Sequence, residues 1–280
     1  MWGTTGFVFN PEKINRDVMQ SWKCVSSADC SRKITAKDNV RDSYFIGLGM
    51  YYEDELLALK TKYENGEIEK EAYKAQLAAM MNDTSEATMN NVKKELVSMR
   101  QNLYGLETDE GKNEVIAGRL DASFQWSGDA VYILDEAEAN DLELEYSIPD
   151  AASNIWFDGW VMLNGANTKL ATAFVNFLSR PDNVVRNMNY IGYTSCIAGD
   201  EVFEYVQETY SADESETDVG EYDLSYFFGE GHTITAAKSQ WRRQLFAQYP
   251  ESSTIERLVV MKYFDKKTNE RANRMWNNIK

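Results

Sequence analysis

Three features of the sequence predict an α/β fold. Short alternating apolar runs of strand length recur between long stretches of helical periodicity. The chain has 280 residues and is 43% hydrophobic, enough to bury the core of one large or two medium domains. No internal repeat and no Pro/Gly-rich linker breaks the alternation.

Phe7 to Phe9 is expected to be a strand, punctuated by glycines before it and by Asn10-Pro11 after it. Lys33 to Ala36 reads as a second strand, leading into a helix that opens around Asp38 to Asp42 and runs through Tyr44, Ile46 and Leu48. Residues 53 to 103 are the most helical part. One apolar stripe runs through Leu56, Leu57, Leu59 and Tyr63, a second through Tyr73, Leu77, Met80 and Met81, and a third through Met89, Val92, Leu96, Met99 and Leu103. The polar break Asn82 to Ser85 separates the last two. Leu120, Ala122, Phe124 and Trp126 alternate as a strand, with a turn at Ser127 to Asp129 starting a helix. Leu142, Leu144, Tyr146 and Ile148 alternate again up to Pro149, and Trp160 to Leu163 reads as a short buried strand. Asn167 to Leu178 has helical spacing, and Pro181 suits the first position of the next helix. Residues 200 to 223 carry ten acidic side chains and no basic one, read as a helix followed by a solvated loop. The tail from Lys238 is basic, with helices expected over Ile255 to Phe264 and Arg271 to Ile279.

The net charge of −16 disfavours nucleic acid, whose phosphates would be repelled, and suits a cationic ligand. No apolar run is long enough to span a bilayer. Met1 is followed by Trp-Gly-Thr-Thr-Gly, without the basic and apolar regions of a signal peptide. Cys24 and Cys30 leave a small disulfide loop open as a possibility. Their spacing is wrong for zinc and the sole histidine is His232, so neither a metal site nor a cofactor is expected.

No Gly-x-Ser-x-Gly elbow occurs, and one histidine makes a Ser-His-Asp or Cys-His site improbable. Gly47-Leu48-Gly49 lacks the third glycine of a dinucleotide loop, with Tyr52 in its place. Gly105 to Lys112 has the wrong spacing for a phosphate loop. The chain reads as a binder with no catalytic residues. Ile155-Trp-Phe-Asp-Gly-Trp160 brackets Asp158 with aromatic rings, a simple way to hold an organic cation. The same residues also fit plain packing, with Asp158 capping a turn.

Several segments together resemble the polyamine-binding (spermidine/putrescine) substrate-binding proteins of bacterial ABC transporters, which have a type II periplasmic-binding-protein fold. They are Trp2-Gly-Thr-Thr-Gly-Phe7, Asp38-Asn-Val-Arg-Asp42, Trp126-Ser-Gly-Asp-Ala130, Ile148-Pro149, Trp156-Phe-Asp158, Phe174-Val-Asn-Phe-Leu178 with Arg180-Pro181, and Ile191-Gly-Tyr193. Their order carries the resemblance over residues 1 to about 195.

The resemblance implies two α/β lobes closing on a polyamine. Trp126 and Trp156 would box its methylenes and ammonium groups, Asp158 would pair with one amine, and Tyr193 would add its ring or hydroxyl. Asp42 and Asn39 would take the other end; Asn39 stands where the family usually carries an acid. Asp129 is a further candidate charge, though a helix cap is the simpler role. The implied division is residues 12–154 and 205–280 as the second lobe, 1–11 as a crossing strand, and 155–204 as the returning part of the first lobe. The front of that lobe has no counterpart here, so the chain alone is expected to bind polyamine weakly or not at all. The implied partner is a membrane permease, and the implied location periplasmic or extracellular, by way of an anchor or a fused permease. The alternatives are a same-fold binding protein for another organic cation or a sugar, or a carboxylate-based hydrolase, for which the acids have no arranged spacing.

Overall fold

Strand β1 (Trp2–Phe9) is the axis of the computed structural model, which describes residues 1–280, and all eight of its residues are buried. It is longer than the expected Phe7–Phe9 because its N-terminal half has its own partner. On one side it runs antiparallel to β4 (Ala122–Trp126), pairing Thr5 with Trp126. On the other side its first half pairs β6 (Ser153–Phe157), setting Gly3 opposite Trp156, and its second half pairs β5 (Glu145–Ser147). β2 (Ile34–Lys37) lies parallel to β4 and to β3 (Gly105–Glu107), and β9 (Leu258–Val259) lies parallel to β6. The sheet order is β3-β2-β4-β1-β6-β9, with β5 also on β1. A separate antiparallel pair joins β7 (Val219–Asp223) and β8 (Thr233–Ala237).

Alternation along β1 sends its side chains to different cores. Phe7 and Phe9 face the largest, with Trp22 and the helices Val40–Glu64, Lys70–Met80 and Glu86–Asn102. Those helices follow the apolar stripes read from the sequence, and the polar break at Asn82 separates the last two. Val8 faces the opposite side, against the helix Ser127–Glu138. Trp2 joins a third core with Val184, Met188, Val206, Tyr222 and Ile234. This third core packs the helix Asp200–Tyr210 against Pro181–Ile191, so part of the 205–280 segment sits with residues 181–191 rather than with 12–154.

Four local expectations are corrected. Trp160 to Leu163 is not a strand: Val161 is 84% exposed and Leu163 76%, because no neighbouring strand offers this run its hydrogen bonds. Ile255 to Phe264 is not one helix; a turn of helix (Ser252–Glu256) gives way to β9, where β6 supplies a ladder. There is no turn at Ser127 to Asp129, since β4 runs directly into the helix with Trp126 as its N-cap. The acidic stretch ends in β7, where only Tyr222 is fully buried, too weak a pattern to read as a strand. Cys24 and Cys30 are buried free thiols. No helix is long and apolar enough to cross a membrane.

Candidate functional site

The carboxyl end of β4, the last residues of β6 and the start of the helix Val40–Glu64 converge on one cavity of about 540 Å³. All six residues singled out from the sequence line it: Asn39, Asp42, Trp126, Trp156, Asp158 and Tyr193. Asn154, Val260 and Met261 line it as well. Sequence reasoning missed these three, because Asn154 precedes the aromatic cluster and Val260 and Met261 lie where a helix was expected.

Asp42 sits in the first turn of its helix, 6% exposed. Burial, which penalises the charged form, pushes its pKa up from 3.8 to about 6, against the opposing pull of Lys37, Arg41 and the Trp126 indole. Asn39 is that helix's N-cap: its Oδ1 accepts from the backbone N–H groups of Arg41 at 2.8 Å and Asp42 at 3.4 Å. Its carbonyl is therefore committed to the backbone, leaving Asp42 as the charge at this end. Asp38 turns away, accepting from Trp276 Nε1 at 3.0 Å and pairing with Lys280 at 3.2 Å.

Trp126 is held from behind. The buried Lys37 Nζ lies 4.8 Å from its ring centroid, pairs with Glu107 at 3.0 Å and donates to the Thr108 carbonyl at 2.9 Å. Trp156 lies across β1 because residue 3 is glycine; a Cβ there would overlap the indole and the Ser127 hydroxyl. The Trp156 Nε1 donates to the Thr4 carbonyl at 3.1 Å, and the ring meets Tyr193 at a centroid distance of 5.7 Å and 55°. Tyr193 packs over Gly128, where a Cβ would overlap its ring. Burial first, then the Asp129 and Asp158 carboxylates, hold the Tyr193 phenol well above its usual pKa, so it is a neutral donor at any physiological pH.

Asp158 follows β6 at the exposed mouth, its backbone N–H donating to the Met1 carbonyl at 2.9 Å. The neighbouring acids are spoken for: Glu107 pairs with Lys37, and Asp129 with Lys112 at 3.2 Å instead of capping its helix. Asp42 and Asp158 have no lysine or arginine nitrogen within 4.0 Å. The cavity thus offers two free carboxylates, two indoles and a phenol, and no nucleophile–base pair. A second cavity of about 530 Å³ lies among Arg16, Tyr63, Glu145 and Arg257. Most of its charges are already matched, Arg16 to Glu145 at 2.6 Å, Lys70 to Glu256 at 2.6 Å and Arg257 to Asp150 at 3.4 Å, so it offers a ligand less.

The architecture is that of type II periplasmic binding proteins. A spermidine/putrescine ABC transporter substrate-binding protein, PotD of Streptococcus pneumoniae, superposes with a TM-score of 0.64 at 21% identity, covering 99% of this chain and 66% of that one. The TpPotD lipoprotein of Treponema pallidum gives 0.62 at 15% identity, covering 100% and 67%. At these identities the likeness is one of fold. A putrescine/agmatine-binding protein of Pseudomonas aeruginosa is 22% identical over 202 residues, 69% of this chain and 49% of that protein. The chain thus spans about half the length of this curated relative and about two thirds of the solved ones. Residues 2–210 match the family described as bacterial extracellular solute-binding protein, and the chain belongs to that family.

Proposed function

We propose that the cavity captures a linear di- or polyamine such as putrescine or spermidine, outside the cytoplasm, for delivery to the membrane permease of an ABC importer. The observation that carries this reading is the pair of unmatched carboxylates, Asp42 and Asp158, sharing one cavity with Trp126 and Trp156. Alkylammonium groups, with a lysine-like pKa near 10.4, stay charged at neutral pH and pair with both acids. Indole faces attract the cations at about 0.5–2 kcal/mol each, and burying the methylenes contributes roughly 0.8 kcal/mol per CH₂. The relatives named for putrescine, agmatine and spermidine point the same way. No enzymatic step belongs to this reading, since the site binds and releases its ligand unchanged.

The two-lobe division belongs to the same proposal. Residues 1–11 are the crossing strand, and residues 155–204 return to a lobe of which they form one part. That segment carries an apolar face, with Trp160, Leu163, Leu170, Phe174 and Phe177 all at least half exposed. We infer that further polypeptide covers this face and supplies the facing wall of the cleft. With Asp158 at an open mouth, the 280-residue chain binds amines weakly, in the millimolar range or above. Calorimetric titration with putrescine, spermidine and a neutral sugar tests the reading. Weak binding of the amines, abolished by Asp158→Asn, supports it; micromolar amine affinity contradicts the half-built cleft, and preference for the sugar contradicts the ligand class.

A further inference from the structure

Strand β6 carries a polar side chain that the capture of two ammonium ends by carboxylates leaves unused. Asn154 is 4% exposed, it lines the cavity, and its Oδ1 is buried with no hydrogen-bond partner. A buried carbonyl in that state has given up its bond to water and received nothing, and folded chains keep few such groups. Pairing with β9 does not need an amide, because that contact runs through the backbone, Asn154 opposite Val259. A leucine has the same branched shape without the polar atoms that incur the cost.

Position along the strand supplies a reason for the amide. Alternate residues face the same way, so Asn154, Trp156 and Asp158 form one row with steps of roughly 6–7 Å. Asp158 stands at the exposed mouth and Asn154 at the buried end, with the Trp156 indole between them. A chain of methylenes laid along that indole from a nitrogen at Asp158 carries its next nitrogen toward Asn154.

We propose that Asn154 accepts a hydrogen bond from this second nitrogen and so selects ligands with donors at both ends over monoamines. The inference rests on the polyamine reading of the cavity. A half-turn about the last side-chain bond exchanges the amide oxygen and nitrogen, and the buried Oδ1 breaks no hydrogen bond in making it. A neutral acceptor recognises the nitrogen without adding another buried charge beside Asp42, whose ionisation is already opposed by burial. The residue is thus held in readiness at a cost to the free protein.

Thermal melting of the purified chain with millimolar putrescine or butylamine, which share a four-carbon chain but differ by one ammonium, tests this. In the wild type, putrescine raises the midpoint more than butylamine does. In Asn154→Leu that difference narrows to what Asp42 alone supplies, while the ligand-free midpoint rises by about 2–4 °C as the orphaned carbonyl is removed. Asn154→Asp, which keeps an acceptor oxygen, retains the preference for putrescine. A leucine variant that prefers putrescine as strongly as the wild type overturns the inference and leaves the polyamine reading standing. A leucine variant that melts lower than the wild type and has a weakened preference assigns Asn154 a structural role and overturns it as well. A wild type indifferent to both amines overturns the polyamine reading itself, and this inference with it.

Discussion

Replacing Asp42 with asparagine separates what the fold pays for the site from what the site does. Burial raises the Asp42 pKa from 3.8 to about 6, so between those values the folded protein holds a proton that the unfolded chain has lost. Wild-type stability therefore declines as pH rises through this window, and the decline is complete above about pH 6. At 1.36 kcal/mol per pKa unit, the rise of about two units corresponds to about 3 kcal/mol. Asp42→Asn removes the titrating group, so it should match the wild type near pH 3.5 and exceed it by up to about 3 kcal/mol at pH 7. Urea unfolding at several pH values between about 3.5 and 7.5 reads this directly. A gap between the two proteins that stays constant across the range refutes the reasoning, because the carboxyl would then ionise alike in both states. Binding moves the opposite way. A cation needs the ionised acid, so amine affinity in the wild type should fall about tenfold per unit of pH below about 6, and Asp42→Asn should bind poorly at every pH.

Three further outcomes follow from the geometry. Gly128→Ala places a Cβ into the Tyr193 ring, and should cost about 1–3 kcal/mol of stability while displacing the ring from Trp156, read as a lowered midpoint and changed indole fluorescence. Lys37→Met leaves the buried Glu107 without its partner and Trp126 without the cation behind it; denaturant titration should register a loss of about 3–5 kcal/mol. Leu163→Glu with Phe177→Glu touches side chains that are already 76% and 53% exposed, so urea unfolding should show stability changed by less than about 0.5 kcal/mol per site.

Much of the fold was legible because it rests on periodicity. Leu56 and Leu59, Tyr73 and Leu77, and Val92 and Leu96 mark the buried faces of the three long helices, and Ala122 and Phe124 mark a strand. Periodicity was silent on what lies beside an apolar run. Trp160 to Leu163 has the composition of a buried strand, yet nothing covers it, and Leu258-Val259 became a strand only because β6 offered an edge. β7 was lost among its acids, since a polar strand that buries one tyrosine looks like a loop. The site was legible through the ordered matches around Trp126, Trp156 and Asp158, which the fold brings to one cavity. Two of its features depend on atoms rather than letters. Asn39 spends its carbonyl on a helix cap, which an amide in place of an acid does not announce. Asn154 has no periodic signature, and only the missing partner of its oxygen draws it into the site.

The most direct test of a cation site between these walls is to follow the seven tryptophan indole N–H signals by NMR while titrating putrescine into the chain, a method that registers even millimolar binding. The Trp126 and Trp156 signals should move together and saturate, those of Trp22 and Trp276 in the core should stay still, and glucose should move neither set. Unmoved Trp126 and Trp156 signals at saturating putrescine, or equal shifts with glucose, would contradict the account.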